Sequence, residues 1–213
     1  MKNRKNIGDD ILIPYDDWVN PKSIIGEDKC LKSPLMEKAF RQILKKHKPK
    51  HNICFISLCT STRPYSKSPK WKKFKEYENK MDLVISSAGG VIPIEFENCY
   101  PYLTYDGYER PKNDKLYIQK TYSRLKIFLN RFDYKYIIFN FRPNLRNRIS
   151  AEMIKKTSNN KDNIFIYPSK ENYLLSKRNC FKPSTHYYPD LSFECMNELN
   201  EIIKEIENKE MKI

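Results

Sequence analysis

Short apolar runs alternate along this chain with longer segments of helical spacing. Ile53-Cys54-Phe55-Ile56-Ser57-Leu58 is nearly continuous in apolar residues and reads as a strand buried on both faces, over 52–58. Shorter runs at 82–86, 136–141 and 163–167 predict three more strands. Between them lie the helical patterns. Ser33-Pro34 supplies a cap and a proline at the first helical position, and Leu35, Met36, Ala39, Phe40, Ile43 and Leu44 form the apolar face that follows. Ser68-Pro69 opens a second, strongly basic helix reaching about Asn79. Asp114 reads as the cap of the most regular helix, with Ile118, Tyr122, Leu125, Leu129 and Phe132 on one face. Helices are also expected over 144–157, after Ser169, and from Asp190 to Glu207.

Ala88-Gly89-Gly90 is a turn, and the proline- and aromatic-rich stretch Val91–Tyr108 reads as a loop. Residues 1–32 read as an irregular N-terminal arm, and 33–213 as a single core domain. Strands alternating with helices predict an α/β fold with three layers around a small, mostly parallel, four-stranded sheet.

Composition adds a partner class. The 213 residues can bury about 70% of their unfolded surface as one domain. The net charge of +14 favours a polyanion, most plausibly RNA or DNA. The same excess of Lys, with Asn and Ile, is also what an AT-rich genome produces without any functional demand. The six cysteines (30, 54, 59, 99, 180 and 195) show no CxxC spacing, so neither a zinc knuckle nor an iron–sulfur cluster is suggested. With a polar N-terminus and no apolar run of membrane-spanning length, a cytoplasmic protein with free thiols and no membrane partner is expected.

Candidate chemistry concentrates at one strand end. Cys59 follows the first strand, where α/β folds place their ligands. From Cys59 to Lys75 the chain carries Arg63, Lys67, Lys70, Lys72, Lys73 and Lys75 and no acidic residue, a field that favours a thiolate and an anionic partner. The alternative reading of Cys59 is a small thiol finishing a strand. Arg142, Arg146 and Arg148 follow the third strand and could line a nucleic-acid path, as could Lys67, Lys70 and Lys72. Asn140 and Arg142 would face the same crevice in a parallel sheet. Ser68 has capping as its simplest role.

The segment Leu58-Cys59-x₃-Arg63-Pro64-Tyr65-x₂-Ser68-x₂-Trp71 resembles the core motif of archaeosine synthase, of the DUF5591 type within the tRNA-guanine transglycosylase paralogues. That motif is written P-C-x₃-K-P-Y-x₂-S-x₂-H. A second stretch, Gly90-Val91-Ile92-Pro93-Ile94-Glu95-Phe96-Glu97 followed by Tyr100-Pro101 and Tyr105-Asp106, is similar to the same family. Leu58, Arg63 and Trp71 stand where the family has Pro, Lys and His.

The resemblance implies a uracil-DNA-glycosylase-like sheet and an enzyme that adds the side-chain amine of free lysine to the nitrile of preQ0 at position 15 of tRNA. On that reading Cys59 attacks the nitrile to give a thioimide, and the amine then displaces sulfur. Glu95 and Asp106 are expected to bind or deprotonate the lysine amine. Arg63, Pro64, Tyr65, Ser68 and Trp71 would shape the base pocket, with Tyr65 and Trp71 offering stacking faces. No cofactor is expected. A radical-SAM lyase and a separate PUA-domain or transglycosylase-like subunit are the implied partners, because the chain has room for neither added domain. The other readings are an inactive relative that binds tRNA or a partner, and a glycosylase-like enzyme acting on nucleic-acid bases.

Overall fold

The computed structural model describes residues 11–12, 14, 27–103, 113–143, 145–179 and 188–211. Within them, five strands form one sheet in the order β3-β2-β1-β4-β5: β1 (Ile53–Leu58), β2 (Asp82–Ser87), β3 (Gly90–Pro93), β4 (Tyr136–Asn140) and β5 (Ile164–Tyr167). Strands β2, β1, β4 and β5 run parallel, and β3 is an antiparallel edge. The apolar runs are explained by this placement. A parallel sheet covered on both faces leaves no strand face for water.

The sheet therefore has one more strand than the apolar pattern predicts. Residues 91–93, expected in a loop, pair with β2 through a two-residue turn at Ala88-Gly89. Gly90 sits at φ +143°, open only to a residue without Cβ, and a Cβ on Gly89 would stand 3.1 Å from Met36 Cε. The strand has few residues and ends on a proline, which an edge tolerates and a central strand does not.

Among the described residues, seven helices surround the sheet: α1 (Glu27–Lys32), α2 (Pro34–Lys46), α3 (Pro69–Phe74), α4 (Asp114–Phe132), α5 (Arg146–Thr157), α6 (Lys170–Asn179) and α7 (Phe193–Glu210). The β1–β2 and β4–β5 connections run in opposite directions along the sheet, so the right-handed rule for such crossovers puts α3 on one face and α5, with α4 packed on it, on the other. Helix α2 joins α4 through the Arg124–Glu37 ion pair and through His47, which packs on Phe128 and Phe132. Helix α7 joins the α3 side, where Tyr77 donates to Asn200 and Lys80 pairs with Glu207. Three layers result.

Local boundaries differ from expectation in instructive ways. The α4 cap is Asn113, whose side chain accepts from the Leu116 amide, rather than Asp114. Its buried stripe is Tyr117, Thr121, Arg124, Leu125, Phe128 and Leu129, so Ile118 and Tyr122 lie at the margin. The stripe includes Arg124 because Glu37 and the carbonyls of Leu31 and Ala88 receive its guanidinium. The helix begun at Pro69 ends at Phe74 and continues as a 3₁₀ turn, Lys75–Tyr77. Helix α7 begins at Phe193 with Ser192 as its cap, later than the expected start at Asp190, which leaves Asp190 in the turn ahead of it. The N-terminal arm contains α1, and Ile11 and Leu12 dock on α2 through Gln42 Oε1.

Candidate functional site at the carboxyl edge of the sheet

A polar rung crosses three of the parallel strands at their carboxyl ends, at the last residue of β4 and β5 and the last but one of β1. Ser57, Asn140 and Tyr167 stand side by side in register on β1, β4 and β5. Asn140 Nδ2 donates to Ser57 Oγ at 3.0 Å and to Asp190 Oδ2 at 3.2 Å. Tyr167 donates to the Asp190 carbonyl at 2.6 Å. Asp190 lies in a 3₁₀ turn, Pro189–Leu191, and is fully buried. Its carboxylate also receives the Lys70 ammonium at 3.1 Å and the Arg142 guanidinium at 2.8 and 3.1 Å.

One carboxylate against two cations leaves surplus positive charge at the strand ends. Burial alone would push the Asp190 carboxyl up, but Lys70 and Arg142 hold it down to about 2. Burial lowers the Lys70 ammonium from its ordinary value, and Asp190 opposes that shift. Asp190 is thus ionised at any physiological pH.

Cys59 follows β1, half-buried, with its amide bonded to the Ser86 carbonyl at 3.1 Å. It is close enough to Lys70 and to Tyr117 for its charge to act on both. Tyr117 comes from α4; its hydroxyl accepts from Asn147 Nδ2 at 2.8 Å, and Arg146 lies 4.2 Å over its ring. Burial pushes the Tyr117 hydroxyl up, and a thiolate at Cys59 adds to that. The hydrogen-bonded chain from Ser57 through Asn140 to Asp190 and Lys70 begins two residues before Cys59 on the same strand.

The rest of the motif builds the loop that carries Cys59. Arg63 Nη1 donates to the Thr60 carbonyl at 2.7 Å, its guanidinium lies 4.5 Å over the Tyr65 ring, and the Arg63–Pro64 peptide is cis. Planar stacking plus a directed hydrogen bond suits arginine better than lysine, a physical reason for Arg63 at this position. Ser68 caps α3, accepting from the Trp71 amide at 3.2 Å. Tyr65 and Trp71 are both fully buried, and Trp71 Nε1 donates to the Leu58 carbonyl at 3.2 Å. Neither ring is open to a base, contrary to the stacking role expected for them. Pro64 is half-buried in the same loop.

Several expected site residues are placed elsewhere. Glu95 lies at the opposite, amino edge of the sheet. There it bonds His47 Nδ1 at 2.6 Å, and His47 Nε2 in turn meets the Tyr134 hydroxyl, which donates to Asp82. Asp82 is in register with Cys54, so Cys59 is about 16 Å further along β1 at about 3.3 Å per residue. Glu95 does not share a site with Cys59. Glu97 instead reaches the motif loop, accepting from the Ser66 amide at 2.7 Å. Asp106 lies outside the described residues.

Among the expected nucleic-acid contacts, Lys70 is buried and committed to Asp190 rather than exposed. Arg148 ties the β4 and β5 ends together, donating to the Phe141 and Pro168 carbonyls at 3.1 and 2.8 Å. Arg146 pairs with Asp114. Lys67 and Lys72 are exposed, and Arg142 is partly so. Sequence reasoning missed Asp190, Tyr117 and Glu97. Only Glu97 carried a signal, its place beside Glu95 in the second stretch. Among the described residues no group of three or more His, Cys, Asp or Glu side chains is placed to hold a metal ion.

Comparison with known proteins adds two findings. Residues 37–179 match a family described as a domain of unknown function, DUF5591. The fold is similar to the crystal structure of AF0587, a protein of unknown function, with a TM-score of 0.54 and 16% identity. That similarity covers 77% of this chain and 48% of the other, so the chain spans about half the length of this neighbour. A search of curated proteins finds no match. Among the described residues no helix is long and apolar enough to cross a membrane.

Proposed function

The chain belongs to the DUF5591 family, and from that premise we propose an archaeosine-synthase-like enzyme that adds the lysine side-chain amine to the nitrile of preQ0 in tRNA. The observation that carries this reading is Cys59 at the carboxyl end of β1, beside the buried Lys70–Asp190–Arg142 cluster. A nitrile carbon is electrophilic, and a thiolate adds to it to give a thioimide, which an amine converts to an amidine. Surplus positive charge at the strand ends favours both the thiolate and an anionic tRNA. On this reading the sheet is of the uracil-DNA-glycosylase-like kind and the protein is cytoplasmic. A radical-SAM lyase acts on its product, and a PUA-domain or transglycosylase-like subunit helps to hold the tRNA.

The test is incubation with preQ0-containing tRNA and lysine, followed by mass analysis of the modified base. The expected result is a gain equal to the mass of lysine with wild-type protein, and none with Cys59→Ala. Because Cys59 is only half-buried, that variant should melt close to wild type.

One observation favours a second reading. Trp71 occupies the motif position of a histidine and is sealed in the core, so no proton carrier is supplied there. An inactive relative that binds tRNA or a partner subunit would tolerate this. No lysine adduct, with tRNA binding unchanged by Cys59→Ala, would establish that reading instead. Release of a free base would point to glycosylase chemistry.

A further inference from the structure

We infer that Lys70 is the acid–base partner of Cys59 and that Asp190, from the 3₁₀ turn ahead of α7, positions it. The inference rests on the nucleophilic reading of Cys59 given above. Lys70 is the second residue of α3, directly after Pro69, and its side chain is 3% exposed. Its ammonium is held by Asp190 Oδ2 at 3.1 Å, while Arg142 takes Oδ1 of the same carboxylate. Asn140 adds a hydrogen bond to Oδ2. Both carboxylate oxygens of Asp190 are thus engaged in fixing the two cations. The position of Lys70 is set from α3, β4 and the turn at 189–191 together.

Stability alone does not account for this arrangement. Taking the Lys70 and Asp190 charges out of water costs several kcal/mol per ion, and well-packed apolar residues in their place are commonly as stable or more so. Buried charges whose proton affinities are pulled from their ordinary values concentrate where proton transfer is needed. Here Lys70, its proton affinity lowered by burial, is tied through Asp190 and Asn140 to Ser57, two residues before the half-buried thiol that follows β1. The other titratable groups facing this point are Asp190, Arg142, Tyr117 from α4 and Arg146 from α5.

The chemistry balances with one proton on Lys70. The reactive pair is the Cys59 thiolate and the Lys70 ammonium that Asp190 holds. The thiolate electron pair forms the C–S bond to the nitrile carbon. One C–N π pair then takes the proton from Lys70 to give the thioimide N–H. The substrate amine next forms a C–N bond to the same carbon and gives up a proton to Lys70. Collapse breaks the C–S bond and returns the thiolate, leaving an amidine. Nothing is oxidised or reduced, and no further reagent is consumed.

The experiment is alkylation of Cys59 by iodoacetamide between about pH 5 and pH 10, read by peptide mass spectrometry on the full chain. Lys70→Met should raise the midpoint of the alkylation profile by about one pH unit or more, slowing reaction at neutral pH about tenfold. Lys70→Arg, which keeps the charge but cannot give up its proton near neutral pH, should restore most of the alkylation rate and still fail to form the lysine adduct on preQ0-containing tRNA. Full adduct formation by Lys70→Arg would overturn the acid–base role. If Lys70→Met fails to fold because Asp190 loses one of its two cations, Lys70→Gln, which removes the charge but keeps a hydrogen-bond donor for Asp190, should show the same shift. A profile unchanged from wild type in a folded Lys70→Met or Lys70→Gln variant would overturn the assignment. That failure is separable from failure of the tRNA reading, which shows as no lysine adduct with wild-type protein.

Discussion

Asp190 is the side chain on which the candidate site depends most. It has no exposed surface, and its carboxylate faces both Lys70 and Arg142. Asp190→Ala should destabilise the protein by about 3–5 kcal/mol, because a buried ammonium is left without its partner. Urea unfolding at neutral pH measures this. The effect has a defined pH window. The folded-state carboxyl sits at about 2, below the unfolded value of about 3.9. Its contribution is therefore complete above about pH 4 and lost as pH falls towards about 2. Over that interval the stability of Asp190→Ala should fall less steeply than that of wild type. An equal slope in the two proteins would contradict the charge assignment. Cys59 and Lys70, by contrast, are tested by reactivity rather than stability, since their consequence is chemical.

At the scale of elements, the short helix α3 carries the site and depends on its first turn. Helices this short have little stability of their own, so each terminal hydrogen bond counts. Ser68 supplies one to the Trp71 amide, and Pro69 sets the first helical position. Ser68→Ala should cost about 1 kcal/mol and speed hydrogen exchange at the Trp71 amide. Exchange elsewhere in the sheet should stay as it is; uniform acceleration would show that α3 does not open separately. Trp71 anchors the same helix to the end of β1 through the Leu58 carbonyl. The motif positions thus form a scaffold that sets Lys70 and Cys59 against each other.

For the whole molecule the question is how a chain of net charge +14 meets its partner. Many of its cations are internal or paired: Lys70, Arg124, Arg142, Arg146 and Arg148 all have protein acceptors. Lys67 and Lys72 are exposed close to the Cys59 loop. Reversing both to Glu should weaken tRNA binding and flatten its dependence on salt, by about 0.7–0.9 in log–log slope for each phosphate that is no longer neutralised. Binding measured by filter retention at several salt concentrations checks this. Unchanged slopes would place the nucleic acid on another face.

The pattern of apolar and polar residues by itself determined four parallel strands, the helices between them and the caps at Ser33 and Ser68. Those features depend on neighbours in the chain: periodicity, cap chemistry and proline geometry. It also located Cys59 at a strand end, because that position follows directly from where an apolar run stops. What only the tertiary structure decided depends on partners distant in sequence. Strand β3 needed β2 beside it, since a few residues ending in proline carry no periodic signal of their own. Glu95 and Glu97 are two residues apart, yet one faces His47 at the amino edge and the other the Ser66 amide. Composition made Lys70 one of many surface lysines. Asp190, far along the chain, made it a buried ammonium beside Cys59. A charge can be buried only where its counter-charge is brought to it, and that meeting is fixed by the packing of α3, β4 and the 3₁₀ turn before α7.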